Sequence, residues 1–172
     1  MRRRDIDGQP PEKAASAAEL RAVMTCVPTG VTVVGTRDPD GGKPLGLTVS
    51  SFTSVALEPP LVLVCIGMNS ASHDRLIGSG GFAISVLSST QEDVARRFAR
   101  PPSEGRFDEF PWWASPSGNP VLEGATAWVD CEIEETMHSG DHTIIVARAM
   151  ACGATDLPAL VHHRGKMSAV TP

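Results

Sequence analysis

The chain has 172 residues, with 15 basic and 20 acidic side chains and a net charge of −5. That length fits one domain, and contents of 41% apolar and 20% charged residues exclude wholesale disorder. Nucleic-acid binders need basic patches for phosphate and aromatic rings for stacking, whereas this chain is acidic, holds 5% aromatics and lacks Tyr. The longest apolar run, Leu61 to Ile66, is far short of the ~20 residues that span a bilayer.

Sixteen Gly and 14 Pro predict many turns and few long helices. Residues 1–11, with Arg2, Arg3 and Arg4, read as a disordered leader. The leader has no apolar run behind its arginines and so does not read as a signal peptide. Residues 12–172 read as a single domain. Ser16 and Glu19 form a capping box ahead of Leu20, Val23 and Met24, which recur at helical spacing. Pro28 ends this helix. Val31 to Thr36 is β-branched and strand-like, and the turn-rich segment 37–44 leads to a second strand, Leu45 to Phe52. Leu61 to Ile66 reads as a strand buried on both faces.

A short helix is expected over residues 72–78, capped by Ser70 or Ser72 and stopped by Gly78. Phe82 to Leu87 is a further strand. Ser89 and Glu92 suggest a second capping box and a helix through Ala99. Residues 101–120 are Pro-rich and without period, as functional loops often are. Ala125 to Glu134 alternates, with Ala127, Val129, Cys131 and Ile133 on one face and Trp128, Asp130, Glu132 and Glu134 on the other. Residues 137–141 form a turn, and His142 to Ala151 is the return strand. Six or so strands, three short helices and no βαβ alternation predict an antiparallel barrel, closed or partly open, with peripheral helices.

Familiar motifs fail. Gly78-Ser79-Gly80-Gly81 follows a helix and opens a strand, the reverse of a dinucleotide-binding glycine loop. His138 and His142 are separated by Ser139-Gly140-Asp141, a turn rather than the helix a metal-binding pair at that spacing needs. Cys26, Cys65, Cys131 and Cys152 are too widely spaced for a zinc site and are expected to be buried thiols. A reducing cytoplasm suits them.

Several segments are informative as an ordered set. They are Val27-Pro28-Thr29-Gly30-Val31-Thr32-Val33-Val34, Gly46-Leu47-Thr48-Val49-Ser50-Ser51-Phe52-Thr53-Ser54-Val55 and Glu58-Pro59-Pro60-Leu61. Gly81-Phe82-Ala83-Ile84-Ser85-Val86-Leu87, Arg96-Arg97-Phe98-Ala99, Gly140-Asp141-His142 and Arg164-Gly165 follow. In this order and spacing the chain resembles the short-chain flavin reductases over residues 20–167. These are the reductase components of two-component flavin-dependent monooxygenases. The resemblance implies a mainly β fold: a Greek-key split β-barrel of the FMN-binding type with a few short peripheral helices. It further implies a homodimer with flavin sites near the subunit interface. FAD or FMN would be reduced by NADH or NADPH and released to a partner monooxygenase. A flavin-carrying protein of the same fold without turnover is the alternative, and a dimeric structural domain without cofactor is a third reading.

Such chemistry needs a polar ledge, phosphate donors and a nicotinamide platform, not an acid–base pair. Thr48, Val49, Ser50 and Ser51 can offer hydroxyls and backbone N–H groups to a flavin. Ser70, Ala71 and Ser72 precede a helix N-terminus, which favours an anion. Arg97-Phe98 and Arg106-Phe107 are both candidates for an Arg-Phe pair common in the family, and either guanidinium matches phosphate geometry. The resemblance puts His142 beside the nicotinamide, with Asp141 next to it. It also places Thr29, Cys65, Phe82, Ala83, Phe107, His162 and Arg164 among cofactor-binding positions. His162 and Met167 stand where the family often has Tyr, two residues before the Arg-Gly pair and two after its Gly.

Overall fold

The computed structural model describes residues 14–170. In chain order its elements are α1 (Ala17–Met24), β1 (Thr29–Gly30), β2 (Thr32–Arg37), β3 (Pro44–Val49), β4 (Thr53–Ala56) and β5 (Leu61–Gly67). Then come α2 (His73–Gly78), β6 (Gly81–Val86), α3 (Glu92–Phe98) and a 3₁₀ turn (Arg106–Asp108). The chain ends with β7 (Trp112–Ala114), β8 (Pro120–Leu122), β9 (Ala127–Ser139), β10 (His142–Ala154), β11 (Ala159–His163) and β12 (Lys166–Val170). The predicted leader over residues 1–11 lies outside the described residues.

The fold is mainly β. A seven-stranded sheet runs β3-β2-β6-β9-β10-β5-β4, and every neighbouring pair is antiparallel. A three-stranded sheet, β1-β11-β12, sits beside one end of β2 and β6, where Val31 N–H donates to Leu160 O and Leu160 N–H to Leu87 O. β7 and β8 form a small hairpin. This is the split-barrel arrangement, with α1, α2 and α3 at its margins. Among the described residues no helix is long and apolar enough to cross a membrane.

The apolar core lies in two parts. One is built on Val34, Val64, Phe82, Ile84 and Ile145. The other packs Phe98 and Phe107 edge to face, 4.9 Å apart, against Leu87, Leu122 and Leu160.

The capping box forms: the Ser16 hydroxyl accepts from Glu19 N–H, and the Glu19 carboxylate accepts from Ser16 N–H. Other expectations are corrected. β5 alternates, with Val62, Val64 and Ile66 inward and Leu61, Leu63 and Cys65 half-buried, because only one face of this part of the sheet is covered. The Ser89 box does not form. Gln91 takes the cap position, its side chain accepting from Ser88 N–H and donating to Glu123 O. Ser72 caps α2 by position only, without a side-chain bond. The aperiodic segment 101–120 holds the 3₁₀ turn and β7.

β9 runs on to Ser139, so Gly140 and Asp141 alone make the turn. Asp130 is not outward but fully buried, because the loop before β8 folds over it: its carboxylate accepts from Ser117 N–H and from the Asn119 amide. Cys26 and Cys152 are exposed and Cys65 is half-buried, leaving Cys131 as the buried thiol. β1, β4, β7, β8, β11 and β12 have no counterpart among the predicted strands.

Two glycines admit Phe107 to the core. A Cβ on Gly46 would lie 2.6 Å from Val34 O and 3.0 Å from the Phe107 ring. A Cβ on Gly35 would lie 2.9 Å from the same ring. Gly46→Ala is therefore expected to destabilise the protein by about 2 kcal/mol through overpacking against backbone, measured as a fall in the urea midpoint with unchanged slope. Burial, followed by the nearby Asp130 and Cys152, pushes the Cys131 thiol up to about 12. Under native conditions iodoacetamide should modify Cys26 and Cys152 and spare Cys131, as read by mass spectrometry.

Candidate functional site

A trough with two lobes of about 370 and 350 Å³ runs between α3 and α1, with the end of β3 as its floor. Ser50 and His162 line both lobes, which makes the trough continuous. The small sheet explains one wall. Its registers pair Thr29 with His162 and His162 with Met167, so three residues far apart in sequence form one row. The turn from β11 to β12 is Arg164-Gly165, both at positive φ, as a tight two-residue hairpin requires. Each lobe is within the size range of small-molecule sites.

Apolar groups such as Val31, Ala95 and Met167 wall one lobe, and the lining carries guanidinium groups from Arg21, Arg96 and Arg100 but no carboxylate. Arg96 is paired with Glu92, whereas the side chains of Arg21, Arg100 and Ser50 make no hydrogen bond or ion pair among the described residues. Free cations and a free hydroxyl beside apolar walls suit a flat, phosphate-bearing ligand.

A second cluster adjoins this floor through Ser51. Its hydroxyl accepts from Cys65 N–H at 2.9 Å and donates to Cys65 O at 3.0 Å, tying the trough to β5. Two residues along β5, Gly67 pairs with His142 on β10. The His142 Nδ1–H donates to Asp141 Oδ1 at 2.7 Å, which leaves Nε2 directed across Gly67, where a Cβ would lie 3.7 Å from it. Both side chains are substantially exposed. The His142 hydrogen bond, first among the causes, holds the Asp141 carboxyl below its usual range.

Of the sequence-derived candidates, Thr29, Thr48, Ser50, Ser51 and His162 meet at the trough, and Cys65, Asp141 and His142 meet beside it. Thr48 lines the trough while its hydroxyl donates to Ala95 O, anchoring α3. Val49, Phe82, Ala83 and Phe107 are buried in the core, so their side chains present no surface to a ligand. Ser70 and Ala71 lie on the bend before α2, and the buried Ser72 hydroxyl has no partner among the described residues. With six residues, α2 offers little dipole to an anion. Arg164 stands apart: its N–H donates to Thr25 O and its guanidinium reaches Cys26, away from the trough.

Both candidate arginine pairs are turned to structural work. Arg97 binds Glu109 and Pro102 O. Arg106, 6% exposed, donates from all three nitrogens to the carbonyls of Pro102, Gly46 and Arg100. Burial, with Arg97 nearby, lowers its pKa. Arg21, Arg96 and Arg100, which do face the trough, are not among the sequence-derived candidates. Arg97 and Arg106 stand out in the sequence because a Phe follows each, yet the helical turn of α3 points Arg97 away from the trough, toward Glu109. Arg106→Ala should cost about 3 kcal/mol, since it strands buried carbonyls, whereas Arg100→Gln should leave the denaturation midpoint unchanged. Urea titration of both variants checks the contrast.

A family model for the flavin reductase-like domain matches residues 24–171. Over 146 residues the chain is 42% identical to a probable flavin reductase of Rhizobium meliloti (strain 1021), covering 85% of this chain and 46% of that protein. It is 39% identical over 147 residues to the reductase component of the flavin-dependent trigonelline monooxygenase of Acinetobacter baylyi, covering 86% of this chain and 47% of the relative. The chain thus spans about half the length of these relatives. Among solved structures, the NADH:FAD oxidoreductase SgcE6 of Streptomyces globisporus, in complex with NAD and FAD fragments, superposes with a TM-score of 0.83 at 37% identity, covering 90% of this chain and 93% of that one. The fold and site define a split-barrel, flavin-type domain. The chain belongs to the flavin reductase-like domain family.

Proposed function

We propose that the protein is an NAD(P)H:flavin oxidoreductase, which reduces FAD or FMN by hydride transfer and releases the reduced flavin to a flavin-dependent monooxygenase. The carrying observation is the trough floored by Ser50 and Ser51 and joined through Cys65 to the strand pair that holds His142. The bound cofactors supply the hydride chemistry. This chain's residues bind and orient them. The Ser50 hydroxyl and the backbone beside it meet the polar edge of the flavin. Arg100, whose guanidinium is free among the described residues, meets its phosphate, with the Glu92-paired Arg96 beside it. His162 and Met167 cover its flank. His142, fixed by Asp141, holds the nicotinamide, and such positioning supplies much of a barrier reduction.

Two copies are proposed to pair over the uncovered face of β4, β5, β10 and β9. There Leu61, Leu63 and Cys65 are half-buried in a single chain, and Val55 and Met137 are exposed. Leu63→Glu should then shift the light-scattering mass from dimer to monomer.

The decisive assay combines two flavins with two nicotinamides and follows loss of reduced-nicotinamide absorbance. Turnover with at least one combination is expected. Tight flavin binding with no turnover would instead make the protein a flavin carrier, a reading that the replacement of Tyr by His162 and Met167 favours. His142→Ala should lower turnover by about 10²-fold and leave flavin affinity within roughly twofold.

The Asp141 shift sets a pH window. Because its folded pKa is depressed, the Asp141–His142 contact is fully present above the ordinary carboxylate value of ~3.9. It is lost as pH falls through the lower, folded value. The Asp141 share of the KM for NADH, read as the difference from Asp141→Asn at each pH, should accordingly stay constant down through the usual carboxylate range and vanish only in stronger acid. Asp141→Asn should raise the KM itself at every pH above that range.

A further inference from the structure

We propose that His73 is a positioning residue for His142, acting through the hydroxyl of Thr143. The inference rests on the reading of His142 as the nicotinamide-holding residue. His73 opens α2 and is 5% exposed, yet both ring nitrogens are engaged. Nδ1 lies 2.6 Å from Asp74 Oδ1, and Nε2 lies 2.8 Å from Thr143 Oγ1. Thr143 is fully buried, and its hydroxyl also lies 3.1 Å from His138 Nδ1 on the opposite strand.

These contacts admit one proton order when the rings are neutral. A carboxylate only accepts, so His73 Nδ1–H donates to Asp74 and His73 Nε2 accepts. The Thr143 O–H must then donate to His73, and its lone pair accepts from His138 Nδ1–H. Three elements, α2, β9 and β10, are thus locked together at one buried hydroxyl.

That hydroxyl is one peptide unit from His142. Strand alternation sends Thr143 inward and His142 outward, so the inward anchor sets the orientation of the outward ring. Backbone pairing with Gly67 and Ser139 holds the His142 main chain, while the Ser139, Gly140 and Asp141 side of the tip is exposed. A second tie, from Met68 N–H to Asp141 O at 2.9 Å, joins the tip to the segment before α2. Without the Thr143 anchor the ladder still pairs His142 with Gly67, but α2 no longer braces this end of β10 and the His142 ring loses its fixed orientation.

Thr143→Val, which keeps the shape and removes the hydroxyl, should raise the KM for NADH about tenfold with the flavin KM within about twofold. Thr143→Ser should restore it. His73→Phe should reproduce the Val variant; if His73→Phe does not fold, Thr143→Val decides alone. In a His142→Ala background Thr143→Val should add nothing, whereas a merely structural effect would persist there.

A readout independent of turnover is the imidazole NMR spectrum of the flavin-free protein. Thr143→Val should move or broaden the His142 resonances and leave those of His162 in place. Unchanged His142 resonances, an unchanged KM for NADH, or an equal loss in the His142→Ala background would each overturn the proposal. If His142→Ala loses activity and Thr143→Val is silent, this inference alone fails. If His142→Ala is itself silent, the nicotinamide-site reading fails and takes this inference with it.

Discussion

The antiparallel ladder between β9 and β10 is the constraint on which the rest of the molecule hangs. Each strand has 13 residues, and together they occupy the middle of the seven-stranded sheet, with β6 on one side and β5 on the other. The register of β10 against β5 sets His142 opposite Gly67 and Ile144 opposite Cys65. A slip of one residue would turn His142 into the core and Thr143 out of it. Register is strongly specified here because Thr143, Ile145 and Ala147 alternate inward against a closed apolar core. Hydrophobic burial therefore does more than stabilise the sheet: it places a polar ring at a particular spot on the opposite face.

Bulges adjust what the ladder alone would make too regular. Register shifts fall between Val146 and Ala147 and between Ala149 and Ala151. An extra residue in one strand bends it and strengthens its twist. Beyond these shifts β10 leads into β11, which pairs with β1. That pairing creates the row of Thr29, His162 and Met167 along the trough. Local turn chemistry completes the row, because Arg164-Gly165 reverses the chain within two residues.

Much of this organisation was legible in the sequence. The Ser16 capping box, the β-branched run of β2 and the alternation around Val129 are local signals, and local interactions decide them. The Gly140 turn is also local, although β9 extends further than its polar tail suggests, because pairing with β10 stabilises residues that have no propensity argument of their own. What failed to show depends on partners distant in the chain. Asp130 looks like an outward strand residue until Asn119 and Ser117 cover it. Arg106 looks like a phosphate anchor until three carbonyls surround it. The strands β1, β11 and β12 are short and owe their order to each other. At the site, residue types were readable and side-chain direction was not: one step along α3 separates Arg96, at the trough, from Arg97, bound to Glu109.

The scarcity of aromatic residues gains a specific meaning from the packing. Phe98, Phe107, Phe110 and Trp112 form one contiguous cluster, and Trp113 packs edge to face on Trp128. Phe82 is sealed in the other half of the core, and Phe52 packs at its margin. Apart from the Trp113–Trp128 pair, these rings are thus spent on the core and its margins, and none of the Phe or Trp rings lines the trough among the described residues. The flat surface available to a ring-shaped ligand there is the His162 imidazole, flanked by Met167. A thioether is polarizable and conforms to a ring face without the fixed geometry of a second aromatic. A site built this way trades stacking area for adaptability. In the proposed reaction, holding a flavin in register falls to the hydroxyl and guanidinium groups around the trough, and holding the nicotinamide falls to the His142 hairpin.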